Sequence, residues 1–135
     1  MDLIIVDDNK TFRESLKYYI EHVLMHTVLL MASDGKEFLN YNKIHEADII
    51  LIDIEMPVMN GIDAAKKALN NNAGLKILAI TSYSDKAYLM ELIGVGFKGC
   101  VFKNNIYEEL QDALTKLLNN QQYWPKDMII EKKEK

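Results

Sequence analysis

Asp48-Ile49-Ile50-Leu51-Ile52-Asp53, which leads directly into Ile54-Glu55-Met56-Pro57-Val58-Met59-Asn60-Gly61, is the stretch that decides how this chain folds. An unbroken apolar run that ends in a Pro, Asn and Gly turn is typical of a strand buried on both faces of a parallel sheet. Asp53 stands where this strand ends, at the edge of the sheet where open α/β folds bind ligands. Asp53 is therefore a candidate site residue, although a turn-forming aspartate is an equally good interpretation of this residue alone.

The rest of the chain repeats the pattern of a short apolar strand followed by an amphipathic helix. Further strands are predicted at residues 3–6, 26–31, 75–80 and 100–102. A capping box of Thr11 and Glu14 is predicted to open the first helix, and Asn105 with Glu108 the last. The apolar face predicted for the first helix consists of Phe12, Leu16, Ile20 and Val23. Alternating strands and helices predict an α/β fold, a doubly wound five-stranded parallel sheet with five helices.

Composition narrows the class of protein. The chain has 135 residues, of which 49% are hydrophobic and 27% charged, as expected for one folded domain. The net charge of −4 disfavours nucleic-acid binding by the chain itself. Cys100 is the only cysteine, so no internal disulfide can form. No basic leader and no membrane-length apolar run is visible, and we expect a cytoplasmic protein without membrane contact.

Polar residues follow four of the five predicted strands. They are Asp7 and Asp8 after the first, Asp53 after the third, Thr81 after the fourth and Lys103 after the fifth. Because the carboxyl ends of parallel strands meet at one rim, we expect these side chains to converge. Carboxylates brought together repel unless a cation joins them, and an all-oxygen site suits Mg²⁺. A hydroxyl and an ammonium beside such an ion complete a pocket for a phosphoryl group, which favours phosphoryl transfer onto a carboxylate.

These motifs together resemble the receiver domain of bacterial two-component response regulators. The matching stretches are residues 6–9, 53–61, 81–82 and 102–103, and the resemblance covers residues 2–118. It implies a flavodoxin-like (CheY-like) fold with strand order 2-1-3-4-5. The receiver domain is then expected at residues 1–119, and a C-terminal tail or linker, partly disordered, at residues 120–135.

The resemblance also implies roles for the matching residues. Asp53 would be the phosphoacceptor for a sensor histidine kinase. Asp8, Asp53 and the backbone carbonyl of Glu55 would bind Mg²⁺, with Asp7 acting mostly through water. Such a chain is not an enzyme with a separate substrate, because it accepts the phosphoryl group on itself and only limits its own phosphorylation by autodephosphorylation.

Two further residues complete the implied switch. Thr81 would hydrogen-bond a phosphoryl oxygen and Lys103 would pair with it. The expected output is a shift between conformational populations rather than a released product. Glu55 and Tyr83 stand where receivers tune the lifetime of the phosphate, although both also suit ordinary exposed loop positions.

The sequence departs from the family pattern at Cys100, where receivers usually carry an aromatic residue that responds to the threonine. Cys100 is either a small buried core residue or a redox-sensitive thiol. Phe102, on the same face, or Tyr83 could replace the aromatic. Asn104 stands where many receivers have proline. With the Tyr123-Trp124-Pro125 tail, it resembles receivers joined to helix-turn-helix DNA-binding domains.

Partners and rival functions follow from the same resemblance. A homodimer is an expected assembly, and DNA would be bound only through an output domain not present here, so the chain is either a fragment or a stand-alone receiver. A haloacid-dehalogenase-like phosphatase is disfavoured because its Asp-x-Asp arrangement is absent from the first strand. A pseudo-receiver, an interaction module without phosphorylation, remains the alternative, favoured by Cys100 and opposed by the complete set of acids, Thr81 and Lys103.

Overall fold

The computed structural model describes residues 1–82 and 87–125, and this part of the chain contains one parallel five-stranded sheet in the order 2-1-3-4-5. The strands are β1 (Asp2–Val6), β2 (Thr27–Ala32), β3 (Ile49–Asp53), β4 (Ile77–Thr81) and β5 (Gly99–Phe102). The central strand β3 is buried along its whole length, as its unbroken apolar run predicts. The predicted flavodoxin-like, doubly wound fold is confirmed.

Within residues 1–82 and 87–125, five α-helices cover the two faces of the sheet. They are α1 (Lys10–Tyr18), α2 (Gly35–Leu39), α3 (Gly61–Asn71), α4 (Leu89–Val95) and α5 (Ile106–Leu118). Alternate residues of the central strand β3 enter different core clusters, so Ile50 and Ile52 pack with α3 and α4 while Ile49 and Leu51 pack with α1 and α5. In the described part of the chain, no helix has the length and apolarity to cross a membrane.

The first helix differs from the prediction at both of its ends. Asn9, not Thr11, is the N-cap, because its side chain accepts a hydrogen bond from the backbone N–H of Phe12 at 3.0 Å. The helix continues as a π-helix over Tyr19–Val23. The wider π-helical turn shifts Val23 off the apolar face, and its side chain is 57% exposed. The predictions of a Thr11 cap and of a buried Val23 were therefore wrong.

The helices α3 and α5 differ in their N-terminal caps, because only α3 has a side-chain cap. Asn60 caps α3 through a hydrogen bond from the N–H of Asp63 at 2.9 Å. Asn105 precedes α5, but its side chain makes no capping hydrogen bond. The 3₁₀ turn over Lys103–Asn105 already leads the backbone into α5, so the predicted capping box is absent.

The chain after α5 is extended and attached to the sheet as far as Tyr123. Tyr123 forms a parallel bridge with Gly99 at the open edge of β5. The Tyr123 N–H donates to the carbonyl of Lys98 at 3.1 Å, and the Cys100 N–H donates to the carbonyl of Tyr123 at 2.8 Å. We refer to this bridge and its two hydrogen bonds as the edge contact. The division into a receiver at residues 1–119 and a tail or linker at residues 120–135 stays a prediction.

Candidate functional site

The predicted acids meet at the carboxyl ends of the two central strands. β1 and β3 are neighbours with Val6 opposite Ile52, so Asp7 and Asp53 leave the sheet side by side. One carboxylate oxygen from each of Asp7, Asp8 and Asp53 lies within 4.8 Å of the others. Asp7 and Asp53 are buried, with 1% and 6% of their surface exposed, whereas Asp8 is exposed.

Lys103 reaches this acid cluster from the end of β5. Its Nζ lies 2.7 Å from Asp7 Oδ2 and 3.3 Å from Asp53 Oδ2. The contact bridges 50 residues of sequence, and the short 3₁₀ turn after β5 brings the side chain over the strand ends. We call Asp7, Asp8, Asp53 and Lys103 the charged pocket.

Burial, neighbouring charges and hydrogen bonds together raise the pKa values of two residues of the charged pocket, Asp53 and Lys103. Burial, followed by the negative charge of Asp7, raises the pKa of Asp53 from 3.8 to about 6, against the opposing effects of Lys103 and of the Glu55 N–H. Burial lowers the pKa of Lys103, but its hydrogen bond with Asp7 and the charges of Asp53 and Asp7 outweigh it, and the pKa is raised overall. Asp53 is thus a carboxylate whose charge is incompletely compensated.

The oxygen atoms of the pocket fit a small divalent cation. Asp7 Oδ2 is buried, and among the described residues its partner is the Lys103 ammonium, 2.7 Å away. Three carboxylates converge, and one of them is open to solvent, which leaves room for coordinating water. A hard, all-oxygen donor set of this kind suits Mg²⁺ better than a softer metal.

Glu55 contacts Asp53 through its backbone. Its N–H donates a hydrogen bond to Asp53 Oδ1 at 3.2 Å, which fixes the orientation of the Asp53 carboxylate. Gly61 approaches the start of the same loop, and a Cβ on Gly61 would overlap the carbonyl oxygen of Asp53. Glycine is required there because the loop folds back onto the end of β3. The role of the Glu55 carbonyl as a ligand stays a prediction.

Thr81 lies on the neighbouring strand, at the level of the pocket. Ile80 pairs with Asp53, so Thr81 extends one residue beyond it, and its side chain is fully buried. Phe102 of β5 is opposite Thr81 in register. The register thus places Thr81 at the carboxyl end of β4, on the same edge of the sheet as the charged pocket.

Cys100 lies two residues before Phe102, opposite Ala79, and is fully buried. Cys100 and Phe102 belong to the same core cluster, so they share one face of β5 as expected. Phe102 is therefore the aromatic residue of β5 that stands nearest in register to Thr81. Tyr83, the other predicted replacement, lies outside the described residues.

Three contacts in the first turn of α1 were missed by the sequence analysis. The Asn9 N–H donates to Asp7 Oδ1 at 2.8 Å, and Arg13 Nη1 donates to the carbonyl of Asp7 at 2.7 Å. The ring centroid of Phe12 lies 4.6 Å from Lys103 Nζ. These residues follow the acid pair directly in sequence, so their proximity could have been inferred, but not the direction of their side chains.

Comparison with known proteins identifies the class to which this fold and site belong. The family model of the response regulator receiver domain matches residues 3–115, and the chain belongs to that family. It is thus a receiver domain of a two-component response regulator, and the resemblance found in the sequence is confirmed.

Individual relatives agree with this assignment. The uncharacterized transcriptional regulatory protein YxjL of Bacillus subtilis is 34% identical over 110 residues, which are 82% of this chain and 50% of that protein. The transcriptional regulatory protein YdfI of the same organism is 34% identical over 108 residues, which are 80% of this chain and 50% of that protein. The chain spans about half the length of these curated relatives.

Among solved structures, a two-component response regulator of the LuxR family from Aurantimonas sp. SI85-9A1 has the same fold. Its TM-score is 0.89 at 24% sequence identity, and the match covers 99% of this chain and 98% of that chain. At this identity, the comparison supports the fold alone.

Proposed function

We propose that Asp53 accepts a phosphoryl group from a sensor histidine kinase in a Mg²⁺-dependent reaction, and that this modification switches the output of the regulator. The observation that carries the proposal is the buried Asp53 carboxylate, which lies 3.3 Å from the Lys103 ammonium in a cluster with two more carboxylates. A carboxylate held among a cation and metal-ligand oxygens can act as a nucleophile toward phosphorus.

Each residue of the pocket has a separate task in this reaction. Asp53 attacks the phosphorus of the phosphohistidine, so that a P–O bond forms while the P–N bond breaks. Lys103 neutralises charge on the transferred group and remains near Asp53 throughout. Thr81 donates a hydrogen bond to one phosphoryl oxygen. The protein contributes position and electrostatics, while the donor supplies the free energy.

The proposed metal site uses residues that stand together in the pocket. Asp8, Asp53 and the Glu55 carbonyl would hold Mg²⁺, with Asp7 bound mostly through water. When bound, the ion supplies positive charge that draws the phosphoryl oxygens toward Asp53. The protein residues orient Asp53 for this purpose, since the N–H of Glu55 and the ammonium of Lys103 each hold one of its oxygens.

The conformational response to phosphorylation is proposed to involve Phe102 in place of the usual aromatic at Cys100. Phe102 stands opposite Thr81 in the sheet, so a shift of the threonine toward a phosphoryl group would change its packing. Glu55 and Tyr83 are proposed to tune autodephosphorylation, which makes the modification self-limiting. No separate substrate is turned over in this scheme.

The proposed output is regulation of transcription. The relatives named as transcriptional regulators are about twice the length matched here, which supports an additional output domain that binds DNA. Residues 1–119 would form the receiver and residues 120–135 a tail or linker toward that domain, with homodimerisation as the expected response. We place these steps in the cytoplasm, where the kinase domain would meet the receiver.

Intact mass spectrometry tests this function. The chain is incubated with Mg²⁺ and acetyl phosphate, and a gain of one phosphoryl group is expected for the wild type but not for Asp53→Asn or in EDTA. Asp63→Asn, which removes an exposed carboxylate of α3 that is not one of the pocket residues, is the matched control and should behave like the wild type.

The pseudo-receiver is the second candidate function because Cys100, a small buried residue, occupies the position of the usual aromatic. It predicts no mass gain in any variant, from acetyl phosphate or from phosphorylated histidine kinases. That result would overturn the proposal and leave an interaction module.

A further inference from the structure

The Lys103 ammonium has neighbours on three sides. Asp7 Oδ2 and Asp53 Oδ2 lie 2.7 Å and 3.3 Å from Nζ, and the ring centroid of Phe12 lies 4.6 Å from it. An ammonium within about 6 Å of a ring centroid is attracted by the negative face of the ring. The site therefore encloses the cation between two carboxylates and an aromatic face.

The position of Phe12 is set by the same backbone that carries the acids. The side chain of Asn9 accepts a hydrogen bond from the Phe12 N–H at 3.0 Å, and the Asn9 N–H donates to Asp7 Oδ1 at 2.8 Å. The Phe12 side chain is half-buried and packs against the core cluster shared by α1 and α5. The Phe12 backbone is thus connected to Asp7 through one residue, and the core packing of its side chain holds the ring beside the pocket.

We propose that Phe12 is a positioning residue whose ring holds the Lys103 ammonium against Asp7 and Asp53. The consequence for phosphoryl transfer rests on the proposed function, whereas the contact between ring and ammonium does not.

Lysine needs such a restraint because its four-carbon stem is flexible and its ammonium is strongly hydrated. The Lys103 side chain is 28% exposed, so a path to solvent is open. An aliphatic side chain at position 12 would fill the space but would lack the attraction of the ring for a cation. Lys103 would then spend more time in water, away from the oxygen atoms on which the reaction depends.

Two variants distinguish the effect of the aromatic ring from the effect of the volume that the side chain fills. Phe12→Leu keeps an apolar residue, and Phe12→Tyr keeps an aromatic face. Urea unfolding of both variants establishes that they fold. Phosphorylation by acetyl phosphate at saturating Mg²⁺ is then followed over a range of donor concentrations, to separate the maximal rate from the donor KM.

We expect Phe12→Leu to lower the maximal rate by about three- to tenfold, the range of one cation–π contact, while the donor KM changes less than about twofold. Phe12→Tyr should restore the wild-type rate. A loss shared equally by both variants, or a wild-type rate in Phe12→Leu, would overturn the positioning role.

An independent measurement detects the contact without any reaction. The ε-methylene protons of Lys103, assigned by the loss of their NMR signal in Lys103→Arg, should show an upfield ring-current shift in the wild type and in Phe12→Tyr. The shift should vanish in Phe12→Leu, and a shift that is absent from the wild type would contradict the proposal. If the NMR shifts behave as expected but the wild type accepts no phosphoryl group, the proposed function fails and the contact stands.

Discussion

The two ends of strand β5 differ in how well their polar groups are paired. Its first residue, Gly99, belongs to the edge contact, in which backbone donors and acceptors are paired. Beyond its last residue, Lys103 enters the charged pocket, where two buried carboxylates share one ammonium. Paired backbone groups at a sheet edge stabilise a fold, whereas buried like charges oppose it. The edge contact at the start of this four-residue strand therefore stabilises the fold. The charged pocket beyond its end destabilises the fold, and such a pocket is suited to binding a ligand that compensates its charge.

The edge contact is reinforced by side chains on both faces of the sheet. Tyr123 packs against the core cluster of α1 and α5, and Trp124 packs against that of α3 and α4, as neighbours in a strand do. The Tyr123 hydroxyl donates to Glu109, and burial together with this hydrogen bond raises the pKa of Tyr123. Lys116 lies over the Tyr123 ring at 5.6 Å. The segment therefore extends the edge of the sheet by one bridged residue.

Removal of the Asp53 charge should produce the largest change in stability. The native pKa of about 6 exceeds the ordinary value of 3.8, so the native state binds more protons than the unfolded state between these values. Stability is therefore lost as the pH rises through this window, and the ionised group costs about 3 kcal/mol above it. We expect Asp53→Asn to raise the free energy of unfolding by about 1 to 3 kcal/mol at pH 7.5, since Lys103 loses one partner.

Urea denaturation in EDTA at pH 7.5 and pH 4 measures this effect. Most of the gain should be absent at pH 4, where the wild-type Asp53 is largely protonated. Asp63→Asn should change stability little at either pH. A destabilised Asp53→Asn at pH 7.5 would contradict the idea that the pocket opposes folding.

Disruption of the edge contact should have the second largest effect, in the opposite direction. A Cβ at position 99 would overlap the Tyr123 carbonyl, so Gly99→Ala must displace the tail and break two hydrogen bonds. We expect a loss of about 2 kcal/mol, at about 1 kcal/mol for each bond. Thermal and urea unfolding measure it, with Gly94→Ala as control.

Gly94 lies in α4, and an added Cβ there meets no atom within 4 Å. Alanine is the better helix former, so Gly94→Ala should stabilise the chain by about 0.5 to 1 kcal/mol. Equal effects of the two substitutions would show that the edge contact contributes nothing to stability.

Binding of Mg²⁺ to the charged pocket should raise the free energy of unfolding and so offset part of the destabilisation caused by its carboxylates. A ligand that binds only the native state stabilises it by about 1.4 kcal/mol at ten times its dissociation constant. We expect such an increase for the wild type on Mg²⁺ titration at pH 7.5, followed by urea denaturation. The increase should be much smaller in Asp53→Asn, and an equal increase in both would place the ion elsewhere.

The smallest effect is expected in the loop that leads from the pocket to α3. Val58 has φ 68°, a left-handed conformation that β-branched residues rarely adopt, and the Met59 N–H donates to the Pro57 carbonyl at 2.7 Å across this tight turn. Asparagine adopts a positive φ more readily than a β-branched residue, so Val58→Asn should raise the free energy of unfolding by about 1 kcal/mol. Val23→Asn changes an exposed valine without positive φ, and a similar gain there would exclude relief of strain as the cause.

The sheet and most of the pocket could be predicted because both follow from local patterns. Apolar runs marked the strands, and the rule that parallel strand ends share one rim brought Asp7, Asp53 and Lys103 together before their distances were known. The family resemblance then supplied the strand order. These features depend on residue type and on sequence order, which the chain displays directly.

Other features depended on tertiary geometry that no local pattern contains. Thr11 and Glu14 matched a capping box, but Asn9 is also a favoured cap and already donates its N–H to Asp7. The edge contact rests on two backbone hydrogen bonds and on the missing Cβ of Gly99, neither of which produces a periodic sequence. The contact of Phe12 with Lys103 joins α1 to the end of β5 through side-chain direction alone.

The identity of the acceptor residue tests the central claim most directly. After incubation with Mg²⁺ and acetyl phosphate, borohydride reduction converts an aspartyl phosphate to homoserine, and peptide mass spectrometry locates the converted residue. We predict homoserine at position 53 when Mg²⁺ is present and none when EDTA replaces it. Conversion at position 7 or 8, or no conversion at any residue, would contradict the assignment of Asp53 as the phosphoacceptor.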